Sequence, residues 1–317
     1  MKKSISVFAL LLISYVDISA QGDGPRAFLL APKGVTGINV KWLNLDQNII
    51  PAGTALIPGA EIHVNVFPIT LFHTFSLGGR IAQAYAMINP GSATARAKIG
   101  PPIGPIPVNE LSADGISDGF VAFKIGLKGA PALNVLEFAK SPMQFSLFAD
   151  ARLWYSGTYS SDDLFNLGTN RFAFQLGLPM SIPLNKSRSS ATWLEIAPSI
   201  MIYGDNNDPA RSSTANKVSQ APLFLLENHL SHNFTPKFWA VANLRFQFGG
   251  ETSADGVKDD NAMSIMGGGL GVGYQLLPPL SIAADYGGVL LSDKDAKGKM
   301  FRLSVVFTYA NLNKLQP

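Results

Sequence analysis

The stretch AEIHVNV at residues 60–66 sets an acid, an imidazole and an amide at every second position between an isoleucine and two valines. Strand side chains alternate between two faces, so Glu61, His63 and Asn65 share one face and Ile62, Val64 and Val66 the other. The same alternation returns along the chain with charges in its polar phase. In 143–155, Gln144, Ser146, Asp150 and Arg152 alternate with Phe145, Leu147, Ala149, Ala151 and Leu153. In 238–248, Asn243, Arg245 and Gln247 alternate with Ala242, Leu244, Phe246 and Phe248; in 300–309, Arg302, Ser304 and Thr308 alternate with Phe301, Leu303, Val305, Phe307 and Tyr309. Weaker versions run through 38–46, 79–89, 120–128, 171–180, 192–203, 223–232, 264–275 and 280–289. That makes about twelve segments of roughly the 10-residue length of a membrane-spanning strand.

Alternation alone does not say whether the apolar face meets a protein core or lipid; the charges and the connections decide it. A Lys or Arg facing lipid near the bilayer midplane costs about 2–4 kcal/mol, so Lys124, Arg152, Arg245 and Arg302, each in the polar phase of its segment, must point inward. Connections alternate in size. Tight turns fall near 76–78, 183–190, 233–236 and 277–279, and long polar links at 47–59, 90–118, 156–170, 204–219, 250–261 and 292–298. Short periplasmic turns and long outer loops are the habit of transmembrane barrels, and an even strand count returns both termini to the periplasm. One short-side link is longer, 129–141, where 133–140 is expected to form a short periplasmic helix. Trp42, Tyr155, Trp193, Tyr203, Trp239 and Tyr309 near segment ends suit interfacial girdles.

A secreted soluble β-sandwich would share the alternation, but fits this loop pattern and a charged content of only 15% less well. Lys2 and Lys3, an apolar run over 5–16, and Ser19-Ala20 before Gln21 read as a secretory signal cleaved after Ala20. The chain has no cysteine, which removes disulfides, thiolate metal sites and a lipid-bearing Cys. A formal charge of +3 without basic runs excludes nucleic-acid binding. The fold expected is therefore all-β: a transmembrane antiparallel β-barrel of about twelve strands after a cleavable signal peptide, in the outer membrane of a Gram-negative bacterium. The expected layout is a signal peptide at 1–20, a periplasmic or plug-like segment at 21–36, the barrel at 37–310 and a tail at 311–317.

Motifs for chemistry are weak. His229 and His232, three apart on a strand, face opposite sides and cannot share a metal. Asp205-Asn206-Asn207-Asp208 and Asp259-Asp260 lack EF-hand spacing and read as solvated turns. The glycine run 267–273 fits neither GxGxxG nor the P-loop and suits sharp coiling or close approach of an interior plug. Neither GxSxG nor HExxH occurs. No catalytic, cofactor or metal site is expected. IGPPIGPIPV at 99–108 is stiff and apolar, suited either to folding inward or to a surface loop.

Several stretches together resemble the outer-membrane family labelled putative meta-pathway of phenol degradation: GDGPRAFLLAP (22–32), IPGAEIHVNV followed by TFSLGGRIAQ, SDGFVAFKIGLKGAPAL (117–133), NLGTNRFAF (166–174), YGDNND (203–208) and the run 219–256. The chain departs from the family in a longer Pro-rich link and in Gln175-Leu176, where a proline is common. The resemblance implies an outer-membrane barrel that passes small molecules, aromatic ones among them, and no agreed binding residues.

The function expected is a channel for passive or facilitated diffusion of small molecules, with a non-conducting structural or adhesive barrel as the alternative. Its expected lumen lining is Glu61, His63, Asn65, Lys124, Asp150, Arg152, Arg171, Glu195, Glu227, Arg245 and Arg302. Residues 22–33 are expected to enter or plug the lumen from the periplasmic side. Partners are outer-membrane lipids, the cargo and the barrel-assembly machinery.

Overall fold

The computed structural model describes residues 23–50, 53–57, 59–97 and 110–310. The expected signal peptide, Gly22, the Pro-rich stretch 99–108 and the tail 311–317 lie outside the described residues. The elements are β1 (Val35–Gln47), β2 (Ala60–Val66), β3 (Ile69–Leu77), β4 (Arg80–Ala97), β5 (Glu110–Lys128), α1 (Val135–Lys140), β6 (Ser146–Tyr155), β7 (Ala173–Gly177), β8 (Met180–Pro183) and β9 (Thr192–Tyr203). They continue as β10 (Val218–Gln220), β11 (Leu223–Asn233), β12 (Phe238–Gly249), β13 (Thr252–Ala254), β14 (Val257–Lys258), β15 (Met263–Leu277), β16 (Leu280–Ser292) and β17 (Gly298–Ala310).

Fourteen of these segments form one sheet. β2 and β3 keep one register against β1 and β4, interrupted only at Phe67 and Pro68, so they are halves of a single strand. β7 and β8 flank Leu178 and Pro179 in the same way; proline has no N–H to give the ladder. Twelve barrel strands result. Each pairs antiparallel with its sequence neighbour, and β17 closes on β1 from Val35↔Ala310 to Gln47↔Gly298. Closure leaves no unpaired edge for lipid to meet. The outward phase carries large apolar side chains such as Leu71, Val121, Leu153, Leu230, Leu270 and Phe307. The other three segments, β10, β13 and β14, make a small sheet among the long loops. On the short-turn side, α1 is set by a capping box: Asn134 accepts from the Glu137 amide at 2.9 Å and Glu137 accepts from the Asn134 amide at 2.8 Å.

β4 and β5, with 18 and 19 residues, are far longer than the 9–11 a bilayer requires. Most of the link expected at 90–118 is therefore strand, paired from Asn89↔Ser117 to Arg96↔Glu110. Small residues and alternating Ser, Thr and Asp build a wall that continues above the membrane, where no lipid demands a bulky apolar face.

The same extension overturns the reading of 60–66. In β2, Ile62, Val64 and Val66 are 0–3% exposed inside the barrel, while Glu61 and His63 stand on its outer surface and Asn65 beside them. Along the continuous strand the phase of polarity reverses: Thr70, Phe72 and Thr74 face in, and Phe67, Ile69 and Leu71 face out. On β1 the change falls at the same height, with Asn39 and Lys41 inward below it and Leu43 and Leu45 inward above it. Trp42 stands outside at that level, its indole N–H on Asn65 at 2.6 Å. Above it water bathes the outside, and the inside is a small apolar core of Leu43, Leu45, Ile62, Val64 and Val66 against Phe165 and Leu167 of the folded-in loop 156–172.

Candidate functional site: the barrel lumen

The segment beginning at Asp23 runs inside the barrel from its short-turn end. The Lys33 amide bonds Leu133 O and the Gly34 amide bonds Thr74 O, anchoring the segment where β1 begins. From there the chain reaches mid-barrel, where Lys41, Lys124, Arg152, Glu195 and Glu227 of the wall hold it. Glu195, fully buried, accepts the Arg26 amide at 2.7 Å and the Phe28 amide at 2.9 Å. Glu227 accepts the Asp23 amide at 3.2 Å. Lys41 donates to Asp23 O at 2.8 Å and Lys124 to Ala27 O at 3.2 Å. Arg152 grips the Asp23 carboxylate with two N–H groups, at 2.9 and 2.5 Å, and turns its Nε to Asp150 Oδ1 at 2.9 Å. Burial would raise the Asp23 carboxyl, but Arg152, with Lys41 and Lys124, outweighs it and holds the group well below the usual carboxylate range.

Two glycines make the approach possible. At Gly24, with φ +87, a Cβ would sit 2.8 Å from the Arg302 guanidinium carbon. Gly273 of β15 leaves room for the ring of its cross-strand partner Trp239, over which Arg26 stacks at 4.2 Å. The wall pairs among itself as well: Arg245 with Glu227 at 3.1 Å, Arg302 with Asp285 at 3.3 Å, His229 with Asn243 at 2.7 Å and Asn243 with Asp285 at 3.0 Å.

Beside this segment one cavity of about 480 Å³ runs the height of the barrel. Its lining begins at Gln275 and Ser281 near the short turns, passes Asn39, Ser304 and Phe28, and ends under Gly53, Thr54 and Thr169 of the outer loops. The loop 156–172 is held in by Asp118, which accepts the Gly157 amide, the Thr169 amide and the Thr169 hydroxyl at 3.1, 3.0 and 2.6 Å.

The inner face carries Lys124, Asp150, Arg152, Glu195, Glu227, Arg245 and Arg302, and Arg171, just before β7, reaches the cavity. Glu61, His63 and Asn65 do not line it; His63 instead bonds Asp46 at 2.7 Å on the outer surface. Tyr203 and Trp239 are turned inward to the cavity and not to a membrane girdle. His229 is buried inside while His232, on the opposite face, meets Thr192 at 2.8 Å. Lys217 bonds Asp205 and Lys294 bonds Asp260 in the outer loops. Among the described residues no group of three or more His, Cys, Asp or Glu could hold a metal ion. Sequence reasoning missed Lys41 and the inward aromatics Tyr85, Phe120 and Trp154; the polar phase of 38–46 contained the signal for Lys41.

The family model described as "Putative MetA-pathway of phenol degradation" matches residues 48–293. Among solved structures, the chain is similar to the COG4313 outer membrane channel from Pseudomonas putida F1, at 18% identity and a TM-score of 0.72, over 90% of this chain and 99% of that one. The beta domain of the Bordetella autotransporter BrkA follows at 11% identity and a TM-score of 0.49, over 87% of this chain and 100% of that one. No curated protein matches the chain. The first of these likenesses supports the fold, a twelve-stranded outer-membrane barrel.

Proposed function

This chain belongs to the family described as "Putative MetA-pathway of phenol degradation", and from that premise we propose that it is an outer-membrane channel through which small molecules diffuse, passively or by facilitated diffusion. The observation that carries the reading is the cavity beside the inner segment, whose lining extends from residues near the short turns to residues of the outer loops. Its lining mixes charge pairs with Met87, Phe120, Trp154, Leu223 and Leu225, a surface that suits compact, partly apolar cargo over bare ions. Aromatic or hydrophobic molecules are therefore the cargo favoured, and the protein's work is transport and not catalysis. Residues 23–33 act as a stopper that narrows the path. Lipid surrounds the outer wall, and insertion by the barrel-assembly machinery belongs to the same reading.

A second reading, a sealed barrel with structural or adhesive work in its outer loops, draws on the number of bonds that clamp the stopper. Conductance separates the two. The signal-free protein, refolded and inserted in planar bilayers, is expected to give small stepwise openings whose cation/anion selectivity shifts in Arg152→Glu and Arg245→Glu. Inserted, folded protein that stays silent would favour the sealed barrel.

A further inference from the structure

Resting on the reading of the lumen as a conduit, we propose that its outer half contains a binding site for small aromatic carboxylates, in which Arg171 takes the carboxylate and the gap over Ala173 takes the ring. The site follows from register. Met87 pairs with Phe120, Phe120 with Trp154, Trp154 with Ala173 and Ala173 with Tyr203, so five adjacent strands present one continuous row. All five line the cavity. Rings already pack edge to face along the row, Phe120 on Trp154 at 4.8 Å between centroids. Ala173 breaks the row. Neighbouring strands lie about 4.7–4.9 Å apart, so the backbones of Trp154 and Tyr203 are separated by roughly 9–10 Å with only a methyl between them. The cavity reaches this methyl, which lies between the larger side chains of Trp154 and Tyr203.

Arg171 lies two residues before Ala173, just outside β7, and lines the same cavity. Its guanidinium carbon is 4.8 Å from the Tyr203 ring centroid. It donates to Gln220 Oε1 and, unlike Arg152, Arg245 and Arg302 of the same wall, joins no ion pair among the described residues. A guanidinium offers five N–H donors in a fork that matches a carboxylate, so most of its capacity is unspent. The nearby Asp118 is already engaged by three donors from Gly157 and Thr169, and its negative charge favours a monoanion over a phosphate monoester dianion. A flat ring bearing one carboxylate therefore fits both halves of the site.

The test is binding of benzoate to the refolded protein in detergent micelles, by saturation-transfer NMR and calorimetry, with benzamide and acetate as probes lacking charge or ring. Benzoate is expected to bind saturably and at least tenfold more tightly than either. Arg171→Gln is expected to lose about tenfold for benzoate and nothing for benzamide, Arg171→Lys to retain part, and Ala173→Phe to exclude both ring compounds. His63→Ala, on the outer surface away from the cavity, is expected to bind benzoate as the wild type does. Unchanged heat-modifiable gel mobility identifies variants whose barrel is intact. Benzoate no tighter than benzamide, or an intact Arg171→Gln barrel with undiminished benzoate affinity, would overturn the site. Potassium chloride conductance of the same preparations keeps the two readings apart. Openings without benzoate preference remove the site and leave the conduit, while benzoate binding in a silent barrel removes the conduit and leaves the site.

Discussion

Arg152 holds the centre of the lumen together. It meets Asp23 of the inner segment and Asp150 of its own strand, and Tyr85 donates its hydroxyl to Asp150 from the next wall. Removing one partner of a buried charge pair leaves the other uncompensated, at a cost of about 3–5 kcal/mol. Arg152→Met is therefore expected to lower the unfolding free energy of the micelle-refolded barrel, read from urea titration, by about that much, and Asp23→Asn in the same chain to restore part of it. The sign of the pH dependence follows from the depressed Asp23 carboxyl. Its contribution is present above the ordinary carboxylate value of about 3.9 and is lost as pH falls through the lower folded value. The inner segment should thus stay protected from protease between pH 7 and about pH 4.5 and be released only in stronger acid, whereas Asp23→Asn frees it at neutral pH. At this scale the inward charges were legible because lipid forbids them the other face. Their partners were not, because Asp23, Ala27 and Phe28 belong to no periodic segment and bind largely through backbone atoms.

At the scale of elements, alternation marks a strand and pairs of faces, but it does not say which solvent each face meets. β2 and β3 form one barrel strand, interrupted at Phe67 and Pro68, whose inner face is apolar above Phe67 and more polar below it. Read with lipid assumed at both heights, Glu61, His63 and Asn65 go inward; read with water outside and a loop core inside the upper half, they go outward. Strand length carried the missing signal, since β4 and β5 run well beyond a bilayer. The chain has no cysteine, so single cysteines report the faces cleanly. His63→Cys is expected to react within minutes with a membrane-impermeant maleimide on intact cells. Val64→Cys, buried in the upper core, and Leu71→Cys, facing lipid, are expected to stay unlabelled until the barrel is unfolded in detergent. Labelling of Leu71→Cys at the rate of His63→Cys would move the membrane boundary and undo the two-height account.

Across the whole molecule, two obstructions lie in series along one cavity: the inner segment in the lower and middle lumen, and the loop residues Gly53, Thr54 and Thr169 above. Their relative weight can be argued from what each leaves behind. Deleting residues 23–33 strips Glu195 of two amide donors and Arg152 of a carboxylate. Buried polar groups left without partners are stable only when hydrated, so the vacated lumen must fill with water. The barrel wall itself closes independently of the segment through β1 and β17. The deletion variant is therefore expected to insert, to keep its heat-modifiable mobility and to conduct several times more than the full chain, with selectivity now set by the unpaired wall charges. If its conductance equals that of the full chain, the narrowest point lies at the outer loops, and Asp118→Ala, which frees the loop 156–172 from its three-bond anchor, becomes the variant in which the current should rise.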